Sequence, residues 1–209
     1  MSYAGSIGRS VLVAGFMLAV AVRAACAADA ATGTIANLQA AYNGESNAAA
    51  RYTAFAAKAD EEGYKKVGQL FRAVAKSEGV HVRNMAATLR KLGAEPQATL
   101  VKPEVKTTRE NLEAAIKAEK QEVSTSYPAF ARQAAEDKNA DAVRNFKGAV
   151  AVESEHVKLF DDAATNLETW KQSGKGFLVC SVCGFTSADP KLRQCPVCAA
   201  PRTKINLVP

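Results

Sequence analysis

Both histidines of this chain stand in the same short pattern. His81 closes "SEGVH" (77–81) and His156 closes "VAVESEH" (150–156), so Glu78 and Glu153 each lie three positions before a histidine. On a helix, residues three apart share a face. The context repeats as well. "FRAVAKSEGVH" (71–81) aligns with "FKGAVAVESEH" (146–156), with a phenylalanine seven before each glutamate. Upstream, "GESNAAARYTAF" (44–55) aligns with "AEKQEVSTSYPAF" (118–130) if one residue is inserted in the second copy. The chain thus contains a duplicated helix pair. Each copy places one glutamate in its first helix, Glu45 or Glu119, and a Glu-x-x-His in its second.

That duplication constrains the fold. A lone Glu-x-x-His is more often an exposed helical pair than a ligand set. Two of them at equivalent points of a repeat call for four helices around one axis, with these side chains meeting inside. Glu122, one turn beyond Glu119, adds a seventh. Five carboxylates buried together cost several kcal/mol each unless cations offset them. Two divalent or trivalent metal ions would do so. One glutamate from each of two helices, plus Glu-x-x-His from each of the other two, is the arrangement of ferritin-like di-iron and di-manganese proteins. The other glutamates, Glu61, Glu62, Glu110, Glu113, Glu136, Glu155 and Glu168, fall near helix ends or off this face and read as solvated.

Local signals place the helices at about 34–60, 64–92, 107–136 and 140–171. Each is then about 40–48 Å long at 1.5 Å per residue. Gly93 is a C-terminal stop for the second. Thr107 and Glu110 form a capping box for the third, and Pro128 predicts a kink inside it. The short connections make helices one and two, and three and four, antiparallel hairpins, and the 93–107 segment crosses between them. A composition 48% hydrophobic but only 7% aromatic, rich in alanine, suits close helix packing. The net charge of +6 is modest, and its basic residues alternate with acids along helical faces. That pattern reads as a solvated surface, not a nucleic-acid footprint.

After the linker "KQSGKG" (171–176), Cys180, Cys183, Cys195 and Cys198 form C-x2-C-x11-C-x2-C. Two such knuckles present four thiolates tetrahedrally, which suits zinc or a single iron. The segment 177–209 is too small for a core of its own, so a metal supplies much of its folding energy. At the other end, the apolar run 10–22 with Arg9 before it and "AACAADAA" (24–31) after it reads as a signal peptide, 1–27, cleaved after Ala27. Arg23, directly after the apolar run, departs from the usual pattern. The expectation is an exported, periplasmic protein, or a cytoplasmic one if the leader stays uncleaved.

From 34 to 209 the chain resembles the rubrerythrins, which join a ferritin-like di-iron bundle (here 34–171) to a rubredoxin-like domain (177–209). "CGF" after the first knuckle and "CPVC" at the second carry the rubredoxin likeness and favour iron over zinc there. The resemblance implies two non-haem irons in the bundle, bridged by Glu78 and Glu153. Glu45 and Glu119 would be terminal ligands and His156 a permanent one. Glu122 and His81 would be the pair between which one iron moves as the oxidation state changes, with Tyr52 and Tyr127 behind the ligands. It also implies a peroxidase that reduces hydrogen peroxide to water, drawing electrons through the four-cysteine iron from an external reductase or rubredoxin-like donor. Rubrerythrins are typically dimers in which the tail of one subunit lies near the other's di-iron site. Competing readings are an iron-storage or ferroxidase protein of ferritin type, a manganese catalase-like enzyme, and a non-enzymatic metal protein with a structural zinc ribbon. A redox tail fits none of them, except as a zinc ribbon.

Overall fold

The computed structural model describes Met1, the backbone of residues 14–32, and residues 33–172 and 174–209 in full. The expected leader and its cleavage site lie outside the fully described residues. Among the described residues, no helix is long and apolar enough to cross a membrane.

The bundle is built from α1 (Ala14–Glu61), α2 (Lys65–Lys91), α3 (Thr108–Gln121), α4 (Tyr127–Glu136) and α5 (Ala140–Thr165). Helix α1 packs along α2, and α3 with α4 packs along α5. Gly93, at φ +77°, ends α2 in the left-handed region, where glycine carries no Cβ penalty. Thr107 and Glu110 cap α3 reciprocally. The crossover is held to α1 by a ladder of amide side chains one turn apart. Asn43 Oδ1 accepts from the Thr99 amide at 2.8 Å, and Asn47 Oδ1 accepts from the Val101 amide at 2.8 Å. Gln39 pairs with Gln97 at the upstream end.

The third expected helix is not one helix kinked at Pro128. A π-helical turn, Glu122–Ser126, separates α3 from α4, and Pro128 sits in the first turn of α4. Proline lacks the N–H that would serve the carbonyl four residues back, and the wider turn absorbs the defect one turn upstream. It also absorbs the residue inserted in the second repeat: Glu45 lies seven before Tyr52, whereas Glu119 lies eight before Tyr127. The fourth helix likewise stops sooner than expected, at Thr165, and a short 3-10 turn, Leu167–Trp170, follows it.

The repeat is visible in the core. Tyr52 stacks on Phe71 with centroids 5.9 Å apart, and Tyr127 stacks on Phe146 at 6.0 Å. The first pair anchors one apolar cluster, with Phe55, Leu70, Leu112 and Phe160. The second anchors another, with Leu38, Met85 and Leu89. The glutamates and histidines of interest lie between these two apolar halves.

The tail forms an antiparallel sheet in the order β2 (Thr186–Ser187), β1 (Phe177–Cys180), β3 (Ile205–Val208). It sits on the bundle of its own chain: Val152 of α5 packs with Leu178, Cys180 and Phe185. This differs from the dimer arrangement the resemblance implied, where the tail lies near a partner's site. The described linker residues are tied to α2. The Lys65 amide donates to the Lys171 carbonyl at 3.1 Å. Gln69 and Gly174 exchange hydrogen bonds at 2.8 and 3.3 Å. Trp170, buried, stacks on Phe177 with centroids 6.1 Å apart.

Candidate metal centres

Helix periodicity turns Glu78 and His81 of α2, and Glu153 and His156 of α5, to the bundle axis, where Glu45 of α1 and Glu119 of α3 meet them. All six are essentially buried. They form two overlapping groups, Glu45–Glu78–His81–Glu153 and Glu78–Glu119–Glu153–His156, with ligand atoms within 4.8 Å of one another in each. Glu78 and Glu153 belong to both. Glu153 turns Oε1 to His81 Nδ1 at 2.8 Å and Oε2 to His156 Nδ1 at 2.6 Å. Glu78 splits its oxygens the same way, at 3.1 and 3.4 Å. Two carboxylates that each face both histidines have the geometry of bridges between two cations. Glu45 and Glu119 close the two ends.

The two tyrosines cross between the repeats. Tyr52 of the first donates to Glu119 of the second at 2.5 Å, and Tyr127 of the second donates to Glu45 of the first. Tyr52 occupies Oε1 of Glu119 and leaves Oε2 toward His156 Nδ1 at 3.8 Å, whereas Tyr127 shares Oε1 of Glu45 with His81 Nδ1, which lies 3.3 Å from it. The structure does not bring Glu122 into either group. It begins the π-helical turn, half-buried, and lines a cleft of about 630 Å³ with Gly44, Asn47, Arg51 and Ser126.

Several atoms of this cluster are buried and find no hydrogen-bond partner outside it: both oxygens of Glu78 and Glu153, one each of Glu45 and Glu119, and Nδ1 of both histidines. Orphaned polar atoms this deep are costly, and so many in one place define a cation site. Without a cation, protons must offset the charge. Burial, then Glu78 and Glu153, push Glu45 up to about 8. Burial and neighbouring carboxylates hold Glu119 and Glu122 well above the usual range. Burial alone would lower His81 and His156, but the glutamates facing them hold both well above the ordinary histidine value. Burial would likewise raise Glu153, yet the two histidines pull it well below. The residues present therefore fit two metal ions.

The tail offers a second centre. Its knuckles are near-copies: Gly184 N–H donates to the Cys180 carbonyl and Ala199 N–H to the Cys195 carbonyl, both at 2.9 Å. The four thiols are unbridged, with Sγ atoms 3.7 Å apart for Cys180–Cys198 and 3.5 Å for Cys183–Cys195. Tetrahedral sulfurs about 2.3 Å from a metal lie roughly 3.8 Å apart, so the set fits one ion with little movement. Burial pushes the Cys198 thiol up to about 11, so filling the site must release protons.

Sequence reasoning did not find the contacts between the two centres. His81 Nε2 lies 3.0 Å from the Cys183 carbonyl, and His156 Nε2 lies 3.2 Å from Thr186 Oγ1. Ser77 Oγ donates to the Gly184 carbonyl at 2.7 Å. A Cβ at Gly184 would stand 2.6 Å from Ser77 Oγ and 3.0 Å from His81 Nε2, so the backbone approaches as glycine alone permits. No spacing in the sequence signals these tail-to-bundle pairs.

A profile of the rubrerythrin family matches residues 36–164. The chain is 33% identical over 172 residues to Rubrerythrin-2 of Clostridium acetobutylicum, covering 81% of this chain and 93% of that protein. It is 34% identical over 172 residues to nigerythrin of Nitratidesulfovibrio vulgaris, covering 81% and 83%. The solved structure of fully reduced, all-ferrous nigerythrin superposes with a TM-score of 0.78 at 32% identity, covering 83% of this chain and 86% of that one.

Proposed function

This chain belongs to the rubrerythrin family, and from that footing we propose that it is a non-haem di-iron peroxidase that reduces hydrogen peroxide to water with electrons received through its own tail. The family places it among iron-dependent oxidative-stress proteins with a di-iron bundle and a four-cysteine metal site. The finer reading rests above all on the contact between the centres, in which the Cys183 carbonyl accepts from His81 Nε2 at 3.0 Å. A candidate ligand of the tail metal is thereby joined to a candidate ligand of the bundle by one hydrogen bond. Storage of iron has no use for such a junction.

The reaction consumes one hydrogen peroxide, two electrons and two protons and yields two waters. Iron bound in the bundle supplies the two electrons that break the O–O bond. The protein's share is to hold, orient and exclude. Glu45, Glu78, Glu119 and Glu153 with the two histidines present an inward ring of donor atoms. Tyr52 and Tyr127 fix the orientation of Glu119 and Glu45. The apolar clusters on either side keep bulk water from the ring. The cleft over Glu122 opens this side of the bundle to solvent. Glu122, raised well above the usual carboxylate range by burial and its acidic neighbours, stands at that opening. With metal bound it would serve as the extra anionic ligand for the oxidised state, in exchange with His81.

The reading includes an external reductase or rubredoxin-like donor, a homodimer, and export after removal of 1–27. The test is stopped-flow mixing of anaerobically reduced protein with peroxide or oxygen. Oxidation of the bundle by peroxide far faster than by oxygen, followed by turnover with a reductant acting through the tail, is expected. Preference for oxygen with accumulation of iron would establish a ferroxidase instead. A colourless tail that binds zinc as isolated would remove the relay.

A further inference from the structure

The segment from Cys183 of the first knuckle to Thr186 at the start of β2 reaches the bundle and touches both histidines. The chemistry of its acceptors fixes the direction of each contact. The Cys183 carbonyl can only accept, so the His81 nitrogen facing it, Nε2, carries the proton. Thr186 has one hydroxyl proton, and its Oγ1 gives that proton to the Gly184 carbonyl at 3.1 Å. Its lone pair is left to accept from His156 Nε2 at 3.2 Å. In both rings the neutral tautomer therefore bears its proton on Nε2 and turns a bare Nδ1 to the glutamates. A bare Nδ1 is what a metal needs. Thr186 and His156 are both fully buried, so water cannot replace this contact.

We propose that the tail acts as a positioning element for the bundle: Thr186 and the Cys183 carbonyl lock the two histidines in the metal-binding tautomer, and filling of the four-cysteine site thereby raises the bundle's affinity for its metals. The inference rests on the di-metal reading of the bundle. The link is mechanical. Residues 181–186 follow directly from Cys180 and contain Cys183, so a metal held by the knuckles fixes the backbone that carries both acceptors. Ser77 Oγ, donating to the Gly184 carbonyl, registers the loop on α2 from the bundle side. Partners of this kind behind a metal-binding histidine typically change metal affinity by 10- to 100-fold.

The test uses full-length protein with zinc in the tail and ferrous iron titrated anaerobically against a competing chelator. Thr186→Val keeps the shape and removes the acceptor. It is expected to weaken one of the two bundle sites by about 10- to 100-fold while the tail keeps its zinc, and Thr186→Ser is expected to restore the affinity. In the zinc-loaded protein, nitrogen-15 NMR should show the His156 Nε2–H signal displaced in the valine variant alone. Bundle affinity equal to the parent in Thr186→Val would overturn the positioning role. If Thr186→Val sheds the tail metal, Ser77→Ala decides: it breaks the docking contact from the bundle side, and parental affinity there would overturn the proposal. A Cys195→Ser, Cys198→Ser protein, unable to fill its tail, should show weakened binding in the bundle, and unchanged binding would overturn the coupling. Failure of the parent bundle to bind iron would instead sink the metal-centre reading, and this inference with it.

Discussion

Removing the metals should reverse the pH dependence expected of an acid-rich protein. The perturbation is chelation of the full chain, followed by denaturant unfolding between pH 5 and 8. In the metal-free fold, burial raises Glu45 from 4.5 to about 8, so the folded state holds a proton there that the unfolded chain has already released. Where the native state binds more protons than the unfolded state, stability falls as pH rises. The window opens at the unfolded value, near 4.5, and closes near 8. At about 1.4 kcal/mol for each pH unit separating the two, Glu45 alone accounts for about 5 kcal/mol across it. Glu119 and Glu122 are raised for the same cause and act with the same sign. Both histidines are raised too, and their contribution is lost above pH 6.5. Glu153, lowered by those histidines, acts only below 4.5, outside the assay. The metal-free protein should therefore lose several kcal/mol between pH 5 and 8, read as a falling denaturation midpoint at constant slope. The metal-loaded protein should gain over the same range, because metal binding displaces protons. A metal-free midpoint that stays level or rises would refute the assignment of these glutamates to one buried cluster.

Tyr127→Phe removes the donor to Glu45 and Tyr52→Phe the donor to Glu119; each should cost about 1–3 kcal/mol of stability and weaken metal binding, and parental melting and affinity in both would rule out a ligand-orienting role. Glu122→Ala should still bind two irons when reduced, through His81, but its oxidised form should be selectively destabilised, because an extra anion helps most when the metals carry most charge; an unchanged potential and ferric spectrum would make Glu122 a bystander of the cleft. Ending the chain after Gly176 should leave a helical bundle that melts lower, since Val152 loses its apolar cover and both histidines lose their acceptors; parental melting would show the docked tail to be energetically idle. Intact-mass measurement on protein from the native host should give a chain beginning near Ala28 or Asp29, and a soluble cytosolic mass that includes Met1 would sink the reading of 1–27 as a cleaved leader.

Spacing along one helix is legible without a fold, because the helical period alone decides which residues share a face. So Glu78 with His81, Glu153 with His156, and the two C-x-x-C knuckles could be read from the chain, as could the capping box of Thr107 and Glu110. The extra residue before Tyr127 showed in the repeat, although its form, a π-helical turn, did not. Relations between helices and between domains depend on packing, which no local period encodes. Only the tertiary structure decided that Tyr52 holds the other repeat's Glu119, that Tyr127 holds Glu45, and that Glu122 stands off the cluster in a cleft. It alone docked the tail on its own bundle, where a backbone carbonyl and the Thr186 hydroxyl meet the two histidines. Those contacts join residues about 30 and 102 positions apart, and they exist because Val152, Leu178 and Phe185 bury one another, not because of any motif around Thr186.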